Sequence, residues 1–204
     1  MRGGDSTAYH GGQVSLDPRP HIRREPFGMV VLPLLSVVLI GWPFGYASTP
    51  YQPAWAAEYP KRAAVMALAG PISNLLLVLI SALAIRIGIW MAVFGNPPAV
   101  SFGQVVVAAN AGMWEGVAFV VSVFFSLNLL LTIFNLIPVP PLDGSGVVPL
   151  FLNSSHTSHY QRFIWGTPML SWVGILVAWQ LFPSVFRPVW LFLVNWILDG
   201  PGYG

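Results

Sequence analysis

The apolar positions of this chain fall into long runs, separated by short polar or proline-rich stretches, with no heptads and no internal repeat. Residues Met1 to Phe27 form a polar, turn-rich lead. Met29 to Gly45 is apolar but holds Pro33 and Pro43. At its length a helix there barely crosses a hydrocarbon core of about 30 Å, so it either spans or enters and returns. Ser48 to Arg62 is a Pro- and Tyr-rich connector. Ala63 to Phe94 is the longest apolar run, broken only by Arg86. It predicts a spanning helix from about Ala63 to Ile85, with Arg86 reaching back to the far interface. Gly95 to Glu115 is mixed, and Asn96-Pro97-Pro98 is a firm stop. Gly116 to Leu136 predicts a second span, ended by Pro138-Val139-Pro140-Pro141. Asn153 to Arg162 reads as a polar loop and Phe163 to Phe182 as a third span. Val185 to Leu198 is apolar but short, suited to the interface or to a tilted crossing.

Composition agrees with lipid as the solvent. The 204 residues are 55% apolar and 8% charged, where a soluble domain carries about 25% charged residues. So few charges cannot build a water-facing surface. Tryptophan and tyrosine, nine and six in number, favour the boundary between hydrocarbon and water. The absence of cysteine excludes disulfides, iron–sulfur clusters and cysteine–zinc sites. A net charge of +2 without a Lys/Arg cluster excludes a nucleic-acid surface. The lead lacks the apolar core of a secretory signal.

The expected fold is therefore an all-α polytopic membrane protein, integral and multi-pass. It would be a bundle of about four or five transmembrane or re-entrant helices in one domain, residues 1–204. Its parts are the lead (1–27), a core (28–150) and C-terminal apolar helices (151–204). Orientation stays open. Arg2, Arg19, Arg23 and Arg24 place the lead in the cytosol, and Lys61 and Arg62 place the connector there too. Both cannot hold if Met29 to Gly45 crosses once.

Candidate chemistry concentrates in Phe134-Asn135-Leu136-Ile137-Pro138-Val139-Pro140-Pro141-Leu142-Asp143-Gly144. A carboxylate follows a proline-broken helix end. An ionised Asp in hydrocarbon costs several kcal/mol unless paired, and irregular backbone at membrane depth needs protein or a cavity beside it. Asp143 thus fits a protein-lined, partly wet pocket where it binds a cation or carries protons. The alternative is an Asp-Gly turn at the membrane surface. Earlier, Ala69-Gly70-Pro71-Ile72-Ser73-Asn74 puts a glycine, a proline and an amide into an apolar helix. Gly70 permits close helix approach, Pro71 frees a carbonyl, and Asn74 needs a polar partner.

The Asn135–Gly144 string resembles the second signature of the site-2 protease family, and Ala69–Asn74 resembles that family's Ala-Gly-Pro-x-x-Asn segment. The lead is similar too, in Gly4-Asp5-Ser6-Thr7-Ala8, Gly12-Gln13-Val14-Ser15-Leu16-Asp17-Pro18 and Pro20-His21-Ile22. Gln13, Asp17 and Arg23 depart from the family's usual Arg, Asn and Asp. The resemblance covers most of residues 4–150. It implies that Asp143 is the third protein ligand of a catalytic zinc. It implies that Asn74, Asn135, Pro138, Pro140, Pro141 and Gly144 line the site and help to hold an extended substrate. Three protein ligands with an open fourth position are what hydrolytic zinc requires.

The family's first signature, His-Glu-x-x-His, supplies two ligands and the general base. It does not occur in this sequence, whose histidines are His10, His21, His156 and His159. Met1 stands where the zinc-binding helix would just have ended, so an in-frame extension encoding that helix is expected upstream. The expected function is zinc-dependent hydrolysis of peptide bonds in or near the membrane, with this form truncated and inactive. The expected substrate is a transmembrane or membrane-proximal protein, and the expected location a bacterial cell membrane. A non-catalytic adaptor that binds transmembrane partners is the alternative. A small transporter is a third reading, against which the absence of paired repeats speaks.

Overall fold

The computed structural model describes residues 7–10, 14, 17–40, 52–167, 169–198 and 202–204. Most of Gly4–Ala8, most of Gly12–Pro18 and residues 41–51 lie outside this set. The chain divides into two compact units, Met1–Arg62 and Ala63–Gly204.

In the first unit, α1 (Thr7–His10) and α2 (Pro18–Arg24) come from the lead. Asp17 caps α2 by accepting a hydrogen bond from the Arg19 amide at 2.9 Å, and Pro18 occupies the first helical position, where no amide is needed. The apolar stretch that follows is a π-helical turn, Phe27–Val31, running into α3 (Leu32–Ile40). It forms a short apolar helix, below the length of a full span. The connector folds locally into α4 (Pro53–Glu58).

Among the described residues, three helices are long and apolar enough to cross a membrane: α5 (Pro60–Trp90), α6 (Met113–Leu136) and α9 (Met169–Leu198). Their outer faces are bare hydrocarbon, with Leu76, Leu83, Phe119, Val120, Leu176 and Trp179 all more than half exposed. Exposed apolar surface on this scale is stable only against lipid. The protein is an all-α membrane protein.

Two boundaries depart from the sequence expectation. The Asn153–Arg162 stretch is not a loop but the start of α8 (Ser154–Gly166), which also takes Phe163 from the expected third span. Asn153 makes this possible: its side chain accepts from the His156 amide at 2.9 Å as an N-cap. Thr157 and Gln161, one turn apart, form the buried face of α8. The remainder of the third span and the Val185–Leu198 segment are a single helix, α9, with Pro183 and Pro188 inside it. Each proline removes one backbone hydrogen bond. Neighbouring groups in a membrane helix can absorb that loss without ending the helix.

The core of the second unit lies among α5, α6, α9 and the α5–α6 connection. It contains Val78 and Ile85, Phe125 and Leu129, Val194 and Ile197, with Val105 and Val106 from the connection. That connection carries a small antiparallel pair, β1 (Phe94–Gly95) with β2 (Val107–Ala108). Val105 and Val106 are buried, and both their amides donate to the Ser122 hydroxyl oxygen on α6, at 3.0 and 3.2 Å. On the same face one turn later, Ser126 accepts from the Trp190 indole at 3.0 Å, tying α6 to α9. Arg86, expected only to reach the interface, has a defined target. Its Nη1 donates to the Ile197 carbonyl at 2.8 Å, and Asn96 donates to Leu198 at 3.3 Å. Together they cap the carbonyl end of α9.

Ser122→Ala is expected to leave two buried amides without that acceptor, a loss on the order of 1–3 kcal/mol. It would appear as a lower thermal midpoint of the detergent-solubilised protein, whereas Ser158→Ala on exposed α8 surface should change little.

Candidate functional site

Proline chemistry shapes the site. α6 stops at Leu136 because Ile137 turns extended, and Pro138, Pro140 and Pro141 supply no amides to continue it. The chain then folds on itself through short bonds, Val139 N to Ile137 O at 2.8 Å and Leu142 N to Val139 O at 3.0 Å. From Leu142 it enters α7 (Asp143–Val147), whose first residue is the candidate carboxylate. Ser145 secures this entry by donating both its amide and its hydroxyl to the Leu142 carbonyl, at 3.0 and 2.8 Å.

Three glycines explain how this segment approaches its neighbours. A Cβ added to Gly144 would collide with the Leu136 and Ile137 carbonyls, so the turn closes only with hydrogen at that position. A Cβ at Gly146 would lie 2.8 Å from the Ala67 Cβ on α5. A Cβ at Gly70, one turn along α5 from Ala67, would lie 3.1 Å from Oδ2 of Asp143. The Asp143 side chain therefore lies on the stretch of α5 that carries Ala69–Asn74. Asn74 is four residues beyond Gly70, which puts it on the same helix face, and it is half-buried. Pro71 is buried and lacks the amide that would have served the Ala67 carbonyl.

Of the sequence-predicted residues, the structure thus brings Asp143 and the Gly70–Asn74 segment together. Asn135 is half-buried in the last turn of α6, Pro140 is half-buried, and Pro138 and Pro141 are exposed. Gly144 is buried and serves the turn. Burial raises the Asp143 carboxyl above the ordinary carboxylate range, the direction desolvation imposes on an acid.

Several buried or closely packed residues of this unit escaped the sequence reading. Asn128 and Thr132 are buried on α6 at the spacing that aligns them with Asn135. Asn128 donates to the Phe124 carbonyl at 2.7 Å and Thr132 to the Asn128 carbonyl at 2.8 Å. Polar residues recurring at positions 128, 132 and 135 of an apolar run were the available signal. Tyr160 on α8 donates its hydroxyl to the Ser145 carbonyl at 2.7 Å, and Gly174 on α9 lies against the Pro140 carbonyl. Neither stands out in the string.

The described residues do not by themselves complete a zinc centre. Catalytic zinc takes three protein ligands. Among the described residues no three His, Asp or Glu side chains gather in a way that could hold a metal. His156 and His159 are exposed on α8, with Nδ1 of each engaged locally, to Asn153 Oδ1 at 2.6 Å and the Ser155 carbonyl at 2.9 Å.

Because the chain has no cysteine of its own, the pairing of Asp143 with α5 can be read directly. Gly70→Cys combined with Asp143→Cys should close a disulfide on mild oxidation in membranes, detected as a mobility shift reversed by reductant. Gly144→Ala is expected to lower the stability of the turn by roughly 1–3 kcal/mol, measured as a lower thermal midpoint.

Comparison with known proteins follows the same residues. The model of peptidase family M50 matches residues 9–175. The chain is 27% identical to the Bacillus subtilis (strain 168) protein named "Putative zinc metalloprotease YwhC", over 91% of this chain and 83% of that one. It is 29% identical to the Mycolicibacterium smegmatis protein named "Putative zinc metalloprotease Rip2", over 98% of this chain and 66% of that one. No solved structure matches it. With most of its length matched, and with both resembling segments meeting at Asp143, this chain belongs to peptidase family M50, the site-2 protease family.

Proposed function

We propose that this chain is the aspartate-bearing body of a protease that hydrolyses peptide bonds of transmembrane or membrane-proximal proteins in a bacterial cell membrane. The observation that carries the reading is the placement of the Asp143 carboxylate against Gly70, where any side chain would crowd it. A half-buried acid beside a proline-broken segment suits a metal ligand at the edge of a groove. The two named relatives, both from bacteria, support zinc as the metal. Zinc would supply an activated water and a polarised carbonyl.

The chain's own residues have narrower roles. Asp143 offers one ligand. Asn74, one turn from Gly70 on α5, and Asn135, in the last turn of α6, offer amide groups suited to bonding the exposed backbone of an unwound substrate. The segment from Asn135 to Pro141 cannot pair with itself as a regular helix, which suits it to border an extended peptide. The His-Glu-x-x-His string that would supply two further ligands and a general base does not occur in this sequence, so on this reading Asp143 alone makes no working centre.

The 204-residue chain, purified in detergent with zinc supplied, is therefore expected to hold far less than one zinc per molecule and to cleave no transmembrane substrate. Zinc-dependent cleavage by this chain, abolished by Asp143→Asn, would contradict the inactivity. The adaptor reading is favoured by the same one-ligand set. It requires that protein expressed from the longest reading frame also stay free of zinc, and metal analysis of that protein separates the two.

A further inference from the structure

The part of the chain that carries no recognised motif, α8 and α9, lies against both flanks of Asp143. On the upstream flank, Gly174 of α9 is buried, and a Cβ built on it would overlap the Pro140 carbonyl and come within 3.4 Å of the Pro140 nitrogen. That contact is backbone against backbone, so neither side can yield by rotating a side chain. On the downstream flank, Tyr160 of α8 donates its hydroxyl to the Ser145 carbonyl at 2.7 Å. Burial holds the Tyr160 phenol above its ordinary pKa, so it stays protonated and keeps that bond. Asp143 sits between these two attachments, with its carboxylate against Gly70 on α5.

From this arrangement we infer that Gly174 and Tyr160 are positioning residues, which hold the segment Pro140–Ser145 from both sides and thereby fix the Asp143 carboxylate against α5. A loop of prolines and glycines has few internal bonds that could define its place. The Val139 and Leu142 amides and the Ser145 amide and hydroxyl donate to carbonyls two or three positions away. Those bonds give the loop its shape but not its position. The contacts from α8 and α9 supply the missing constraint. The α9 contact depends on the absence of a side chain at Gly174, and the α8 contact on one hydroxyl. The inference rests on Asp143 being the working carboxylate of the proposed function, but its test reads geometry alone.

The test uses the cysteine-free chain in membranes. The reporter is Gly70→Cys with Asp143→Cys. The reference is Gly88→Cys with Phe94→Cys, a second pair of neighbours on the same unit, since a Cβ at Gly88 lies 3.0 Å from the Phe94 Cγ. Adding Tyr160→Phe, which keeps the ring and loses the bond, should slow reporter closure roughly five-fold. Adding Gly174→Ala should slow it roughly ten-fold or more. The reference pair should close at an unchanged rate in both backgrounds. Unchanged reporter closure in both variants would overturn the inference. So would a parallel loss in reporter and reference, which would mark a general loosening of the bundle. A reporter that fails to close in the unmodified background would remove the Asp143–Gly70 geometry and the inference with it. Failure of zinc binding or cleavage in any form of the protein would leave these rates untouched, and so bears on the proposed function alone.

Discussion

A carboxylate rests against a helix at a point where that helix has no side chain. The Gly70–Asp143 approach requires three things at once. α5 must present bare backbone at position 70, α6 must end before Ile137, and the chain must turn sharply enough at Gly144 for Asp143 to point back. Prolines provide the second by withholding amides. Hydrogen in place of Cβ provides the first and third. Each of these is a local property, yet the result is a contact between segments far apart in the chain. That contact unites the two recognisable motifs into one surface.

The remainder of the second unit follows from the scarcity of polar groups in a lipid-facing bundle. A buried amide without a partner costs free energy comparable to a lost hydrogen bond. Ser122, Ser126, Asn128 and Thr132 spend their polar atoms inside the protein, on loop amides, an indole and helix carbonyls. The carbonyl end of α9 is served by Arg86 and Asn96. Asn195 and Tyr203 add to the same end, with Asn195 bonding both the Tyr203 amide and carbonyl, at 2.7 and 3.0 Å. The outer faces stay apolar, because hydrocarbon asks for nothing else. Specificity in this bundle is thus written in a small set of hydroxyls and amides, while the aliphatic residues supply area without register.

For function, the consequence is a division of labour. Under the proposed function, hydrolysis by zinc would need a closed set of ligands and a base, and Asp143 would be one acid of such a set. Around that acid the chain sets bare backbone on α5 and contacts from α8 and α9. An acid raised by burial but not compensated is unfavourable as a charged group. A nearby cation would relieve that penalty.

Much of the bundle was legible in the string. Long apolar runs fixed α5 and α6 to within a few residues, because hydrocarbon thickness sets helix length without reference to neighbours. The break after Leu136 was legible for a similar reason, since proline carries its meaning locally. α8 was misread because polar residues looked like a loop, while its helix depends on an Asn153 cap and on burial of Thr157 and Gln161 against the rest of the unit. α9 was divided at prolines that an assembled bundle tolerates. Nothing in the string assigns Gly174 to Pro140 or Tyr160 to Ser145, since both contacts exist only once separate segments are packed. Sequence alone determined that long apolar helices build this chain and that α6 must break at its prolines. Tertiary structure decided which backbones touch, because close approach depends on pairs of surfaces and no single residue encodes its partner.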